Sequence, residues 1–256
     1  MSEINRSELV KYLNKYLNIY EFQDYCPNGL QIEGKEKIKK IAFAVSATKY
    51  SIEKSIEMKA DALIVHHGLF WKFHGTRTIT KAFGNRVRPL IKNDINLLGY
   101  HLPLDAHLEI GNAISLANKI GVSNVKPFGD HKGSPTGIQG TIGIKLKASE
   151  LKNKLETILN HSVLHSSPDD DQIIQSIGII TGGANSDWIL AQKNNLDAFL
   201  TGEMSEHDWH EAKESEVHMF AGGHNATEKF GPLSLMDHIS HRFKIDCEFI
   251  DSENPA

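Results

Sequence analysis

Asp61-Ala62-Leu63-Ile64-Val65-His66-His67-Gly68 is the stretch on which the reading of this chain turns. Four apolar residues without a charge predict a strand covered on both faces. The run goes straight into two histidines and a glycine. Before it lies an amphipathic helical stretch, Ser51–Lys59, and before that a second apolar run, Ile41–Val45. After it, Phe83–Asn93 reads as a helix and Asn96–Tyr100 as a strand that ends at His101. Asn112–Ile120 reads as a helix closed by Gly121. Strand and helix thus alternate from residue 40 to 121, which predicts an α/β layer with parallel pairing.

Upstream, Leu9, Val10, Leu13, Tyr16 and Leu17 recur at helical spacing, with Asn5 and Glu8 placed as a capping box. Asp24–Gly34 is polar and turn-rich. Downstream, residues 123–137 carry two prolines and three glycines and read as a loop. That loop is the expected internal boundary. Residues 1–122 would form a first α/β half holding part of a site. Residues 123–256 would form a second half, with a strand–helix segment in its middle, and return to complete the site. The expected elements there are strands near 138–146, 162–165, 173–180, 198–200, 217–221 and 246–250. Helices are expected over 149–159, 186–194 and 227–243. Asp197-Ala198-Phe199-Leu200-Thr201 echoes Asp61–Val65 in the same helix-then-strand context. This reads either as an old duplication or as a common way of entering a strand. The expected fold class is α/β, with two similar halves, mixed sheets and the site in a cleft at the carboxyl ends of strands.

The chain has 256 residues, of which 40% are hydrophobic and 23% charged, as in an ordinary folded protein. A formal net charge of -4 provides no basic field for nucleic acid. The two cysteines, Cys26 and Cys247, are far apart and suit a reducing cytoplasm. The first residues lack a signal peptide's charged and apolar regions, and no apolar run approaches the ~18 residues a membrane helix needs. The fourteen histidines, several in tight groups, are the unusual feature.

Four polar clusters fall where a buried strand is expected to end: His66-His67-Gly68, His101 to His107, Thr201-Gly202-Glu203 and Gly223 to Glu228. Ligands of open α/β sheets bind at those ends. His66 and His67 could serve two neighbouring metals, or could simply hydrogen-bond loop backbone. His224 and Glu228 are a histidine and a carboxylate suited to Zn, Mn or Fe, with Thr227 and Glu228 as a helix cap the alternative. Pro103 predicts a turn that carries Asp105 as a ligand, with His101 and His107 as supporting or proton-passing groups. Asp105 and His107 could equally cap the next helix. Glu203 is a candidate general base or an orienter of a ligand histidine, or part of a solvated loop with Glu206, His207 and His210. The P-loop, dinucleotide and nucleophile-elbow motifs are absent. Histidines and carboxylates at strand ends favour a two-metal centre with a bridging carboxylate and a bridging water.

At these residues the chain resembles a known family. HHGLFWK, YHLPLDAHLEIGN, TGEMSEHDWHEA and AGGHNATEKFG look like the signature segments of the YbgI-type dinuclear-metal proteins, with PNGLQIEG a further match. These are also called NGG-interacting-factor-3-like proteins or GTP cyclohydrolase I type 2 homologues. The resemblance implies that His67 and Asp105 hold one divalent ion and His66 and His224 the other, with Glu228 bridging. The ions would be Zn, Mn, Fe or Ni. It also implies two similar α/β halves and a homohexamer, a trimer of dimers. The chain departs from the pattern at Asn225, where many relatives carry a second histidine. The expected function is a cytoplasmic metal-dependent hydrolase of a small molecule, with a purine nucleotide such as GTP suggested by the family name. A metal-binding assembly or regulatory protein without turnover is the rival.

Overall fold

The computed structural model describes residues 2–256. Two units emerge, Met1–Leu104 with Gly231–Glu253, and Asp105–Phe230 with Asn254–Ala256. The division therefore falls at residues 104 and 105 rather than at 122 and 123, and a C-terminal segment returns to the first unit.

The first unit begins with β1 (Ile4–Asn5), α1 (Arg6–Tyr16), β2 (Gly29–Ile32), β3 (Lys37–Ile38) and β4 (Lys40–Ser46). It continues with α2 (Lys49–Glu57), β5 (Ala62–His67), α3 (Lys81–Lys92) and β6 (Asn96–Gly99). Helix α4 (Leu102–Ala106) runs across the division point. The second unit holds α5 (Asn112–Ile120), β7 (Val122–Phe128), β8 (Gly137–Lys147), α6 (Ala148–Leu159) and β9 (Leu164–Ser166). It then adds β10 (Ile173–Ile179), α7 (Trp188–Lys193), β11 (Ala198–Thr201), α8 (Glu206–Glu214), β12 (His218–Ala221) and α9 (His224–Thr227). Helix α10 (Phe230–Phe243) and β13 (Asp246–Phe249) complete the first unit.

The two large sheets are mixed, and β1 pairs with β3 in a small antiparallel one. The first unit's sheet runs β13-β4-β5-β6-β2, parallel from β13 to β6, with β2 antiparallel at one edge. The second runs β7-β8-β10-β11-β12-β9, with β10, β11 and β12 parallel and the other pairings antiparallel. The Ile41–Val45 and Ala62–Val65 runs are buried throughout, as parallel strands covered on both faces must be.

The echo between Asp61 and Asp197 has a physical content. Asp61 Oδ2 accepts the backbone N–H groups of Lys39 and Lys40, where β4 starts. Asp197 Oδ2 accepts those of Gln175 and Ser176 in β10. The register is also shared, with Ile41 opposite Ala62 and Ile177 opposite Ala198. The carbonyl of each aspartate accepts from the next parallel strand, from Asn96 N–H and His218 N–H. Both units thus use the aspartate to satisfy the open end of a neighbouring strand.

Several local expectations are corrected. Val122–Phe128 is a strand and not a loop, because β7 is an edge strand, where Pro127 is tolerated. Gly29–Ile32, inside the polar stretch, pairs with β6. Pro103 starts a short helix, since the first turn needs no proline N–H. The helix expected over 227–243 is two helices, with Glu228 between them. A continuous helix would drive the Pro232 ring into the Glu228 carbonyl four residues back. Residues 206–214 form α8 instead of a solvated loop, although His207 and His210 on it are exposed. Asn5 caps α1 through the Ser7 N–H and hydroxyl, without Glu8. Ser186 lies in a 3-10 turn that precedes α7.

His165 and His218 form a hydrogen-bonded pair in the second unit. His218 Nε2 donates to Gln172 Oε1 at 2.9 Å, so its Nδ1 accepts from His165 Nε2 at 3.2 Å. The His165 ring stacks on Phe220 at 4.1 Å. Burial, and then the neighbouring His218, push His165 down to about 4 from 6.5. Burial lowers His218 as well. The unfolded chain therefore binds a proton first as pH falls. The stabilisation from a neutral His165 is complete above about pH 6.5 and is lost toward pH 4, a decline of ~1–3 kcal/mol. We predict a matching fall in the urea midpoint between those pH values, flattened in His165→Phe. A midpoint that falls equally in both proteins refutes the assignment.

Candidate functional site

The first unit places three imidazoles at the end of β5 and just beyond β6. His66 is fully buried, and its Nδ1 lies 3.0 Å from the Tyr100 carbonyl. A carbonyl only accepts, so Nδ1 carries the proton and Nε2 the lone pair. His101 Nδ1 lies 2.7 Å from Asp24 Oδ1, which fixes the same tautomer. His67 Nδ1 is engaged by the Ser46 hydroxyl at 3.0 Å. One nitrogen from each ring lies within 4.8 Å of the others. The ring centroids are 4.6 to 5.6 Å apart.

Asp24 was read as a turn residue, yet it organises this end of the sheet. Its carboxylate accepts from Tyr25 N–H, Asn28 Nδ2, Leu102 N–H and His101 Nδ1. Burial alone would raise its pKa. The hydrogen bonds from His101, Asn28 and Tyr25 override burial and hold it near 2. Asp24, Cys26 and His101 form a further group able to hold a metal. The only sequence signal for Asp24 was an acidic residue in a polar turn, which says nothing about its distant partner His101.

The second unit gathers carboxylates and a histidine. His224 opens α9 and Glu228 ends it, one helical turn apart, with His224 Nε2 3.1 Å from Glu228 Oε2. The other ring nitrogen, Nδ1, lies 2.5 Å from Glu203 Oε1. Glu203 therefore orients His224. Burial would lower the His224 pKa, but Glu228 and Glu203 raise it to about 9. Asp105 is buried, accepts from Asn112 Nδ2 at 2.8 Å and Thr181 Oγ1 at 3.3 Å, and has an oxygen within 4.8 Å of one on Glu228. Gly182, at φ +72°, leaves room for Glu228 and His224; a Cβ there would run into the Glu228 carboxylate. Asn225 is buried, and its backbone N–H donates to the Ala256 carbonyl.

His107 plays a different part. Its Nδ1 accepts from the N–H groups of Glu109 and Ile110, so it staples the turn before α5. His161 and His238 hydrogen-bond to the Pro255 carbonyl and to Tyr12 Oη, as packing residues.

These sets fit divalent cations. An imidazole whose Nδ1 is anchored presents Nε2 as the ligand atom, and an anchoring partner on the second nitrogen is usual for metal-bound histidine. The carboxylates around His224 hold a positive charge there, which a divalent ion would supply instead of a proton.

Mixed α/β units with histidine and carboxylate groups at strand ends define a class of metal-capable α/β proteins. The model of the Duf34/NIF3 (NGG1p interacting factor 3) family matches residues 4–255, and the chain belongs to that family. It is 41% identical to the GTP cyclohydrolase 1 type 2 homolog of Vibrio cholerae serotype O1, covering 99% of this chain and 100% of that one. The Escherichia coli K12 protein of the same name is 37% identical, covering 99% and 100%. The solved structure described as protein ybgI, of unknown function, superposes with a TM-score of 0.91 at 37% identity, covering 99% and 100%. A crystal structure from Thermus thermophilus gives 0.90 at 32% identity, with the same coverage. Among the described residues, no helix is long and apolar enough to cross a membrane.

Proposed function

We propose that this chain is a dinuclear metal-dependent hydrolase of a small molecule, with His66, His67, Asp105, His224 and Glu228 as the ligands of two divalent ions. The observation that carries the reading is the trio of imidazoles with anchored Nδ1 atoms at the ends of β5 and β6. The Asp105, His224 and Glu228 set supports it from the second unit. Bound ions would polarise the scissile group and lower the pKa of attacking water toward ~7. Zn, Mn, Fe and Ni all accept this donor set.

The chain's own residues supply position and proton control. Tyr100 and Ser46 fix the rings of His66 and His67. Glu203 holds His224 and can accept a proton at its second carboxylate oxygen. Asp24 holds the His101 ring through Nδ1, which leaves Nε2 as the nitrogen that can exchange a proton with substrate or water. His107 is a weaker proton carrier in this scheme, because its Nδ1 is already an acceptor. The name of the relatives points to GTP, and we take a purine nucleotide as the substrate class. The chain's negative charge is no obstacle, since the ions supply local positive charge. Two free cysteines are in keeping with a cytoplasmic setting, and a homohexamer is the assembly we infer from the resemblance.

Metal per chain, by elemental mass spectrometry on protein purified without an affinity tag, tests the reading. About two ions per wild-type chain are expected, falling in Glu228→Ala and His67→Ala. Glu203→Gln should weaken metal binding or turnover about 10–100-fold, as expected when a ligand's orienting partner is lost. Near-zero metal, unchanged by added Zn, Mn or Fe, would overturn the proposal. Two ions with no turnover of any nucleotide, amide or phosphoester would leave a metal-binding assembly protein. Sedimentation of the same sample reads the assembly.

A further inference from the structure

Beside His67 and His101, the first unit carries aromatic rings that metal binding does not use. Trp71 meets His101 edge-on at 5.1 Å and lies 5.7 Å from His67. Its Nε1 donates to the Gly68 carbonyl at 3.1 Å, which fixes the indole. Phe73 stacks on Trp71 at 5.4 Å with 28° between the planes, yet remains 69% exposed. Tyr25, 43% exposed, borders His101 from the other strand connection at 6.2 Å. The segment is held in place: Lys72 N–H donates to the Tyr25 carbonyl, and Lys72 Nζ donates to the Asp24 carbonyl.

An exposed phenylalanine normally finds cover, because leaving its ring in water forgoes a favourable burial. Here the ring is kept out by a pinned 3-10 turn over Lys72–His74, stacked at a shallow angle on a fixed indole. The indole itself abuts two imidazoles of the candidate metal set. A face of this kind suits a flat conjugated ring, which can stack without a hydrogen-bond code.

We propose that Trp71 and Phe73 form a stacking platform for the planar heterocycle of the substrate, a nucleobase-class ring, and so determine specificity beside His67 and His101. The proposal rests on the reading of this end of the sheet as the substrate site. It assigns the ring to the aromatic wall, and leaves the reacting group to the metal ligands.

The test uses guanosine, with ribose as the control, on the full chain carrying Trp209→Phe, which removes the exposed tryptophan and leaves half-buried Trp71 beside buried Trp188. Saturable quenching of Trp71 fluorescence by guanosine is expected, and none by ribose. Equilibrium dialysis should find guanosine bound about tenfold more weakly by Phe73→Ala, with Phe73→Tyr near wild type. Phe73 is exposed, so Phe73→Ala should fold; its melting curve checks that. Equal guanosine affinity in wild type and Phe73→Ala, or no guanosine binding, overturns the platform. So does a fall in assembly mass in Phe73→Ala with guanosine binding unchanged, which would make the patch a contact between copies. Each measurement is made on metal-loaded and chelated protein. Guanosine binding that persists without any metal site sinks the hydrolase and spares the platform; two bound ions without guanosine binding do the reverse.

Discussion

Gly182→Ala is expected to destabilise the fold by ~2–4 kcal/mol and, on the proposed function, to lower the metal content by displacing Glu228 and His224. Two costs combine. At φ +72° an L-residue pays the left-handed penalty of ~1–2 kcal/mol. The new methyl also meets the Glu228 carboxylate and comes within 3.2 Å of His224 Nε2. The backbone has little freedom to yield. Gly182 N–H donates to Thr227 Oγ1 at 3.1 Å, and its carbonyl accepts from Gly202 N–H at 2.8 Å and Thr201 Oγ1 at 3.0 Å. Gly133 provides the control, with φ +90° and open space where its Cβ would sit. Gly133→Ala carries the conformational cost alone. Urea melts of the two variants, with metal content measured on each, separate the effects. If Gly182→Ala matches Gly133→Ala in both stability and metal content, the crowding at Glu228 has been misjudged.

That glycine shows where sequence reading stops. The end of the strand expected over 173–180 was visible, but the closeness of Gly182 just beyond it to Glu228 comes from β10, β11 and β12 lying side by side. The parallel strands themselves were legible, because buried strands are continuous apolar runs and their histidines follow at once. The same logic put His66, His67, His101, Glu203 and His224 at or just after strand ends, where the structure has them. Edge strands were less legible: β2 and β7 are short of apolar residues and contain turn-formers or proline, which edges tolerate. The boundary at residues 122 and 123 failed for the same reason, since the segment taken as a linker is a strand. Helix ends followed local chemistry, as with Gly121 at φ +86° closing α5, whereas the break at Glu228 needed the steric consequence of Pro232. Partner identity was the hardest to read. Asp24 and His101 are 77 positions apart, and nothing in either local sequence announces the other.

Asp24→Asn carries the other large expected effect, about 3 kcal/mol of stability at pH 7 together with a change in the His101 ring. The carboxylate serves four strong donors: Oδ1 takes Tyr25 N–H and His101 Nδ1, and Oδ2 takes Asn28 Nδ2 and Leu102 N–H. An amide has one oxygen. Whichever way it turns, its NH2 faces two donors, and buried donors left without an acceptor cost roughly 1–3 kcal/mol each. If the oxygen stays with Asn28 and Leu102, His101 must accept through Nδ1 and carry its proton on Nε2. Nitrogen NMR of His101 would register that tautomer switch directly. The pH dependence follows from the same carboxylate. Its folded pKa of about 2 lies below the ordinary 3.8, so the unfolded chain takes up the proton first. The ionised Asp24 therefore stabilises the fold fully above about pH 4, and that contribution is lost as pH falls toward 2, by about 2 kcal/mol. The variant has no such titration, so the stability gap between the proteins should narrow across that window. An unchanged gap from pH 5 to pH 2, or a variant as stable as wild type at pH 7, would mean that Asp24 does not hold His101 and the end of β6 in place.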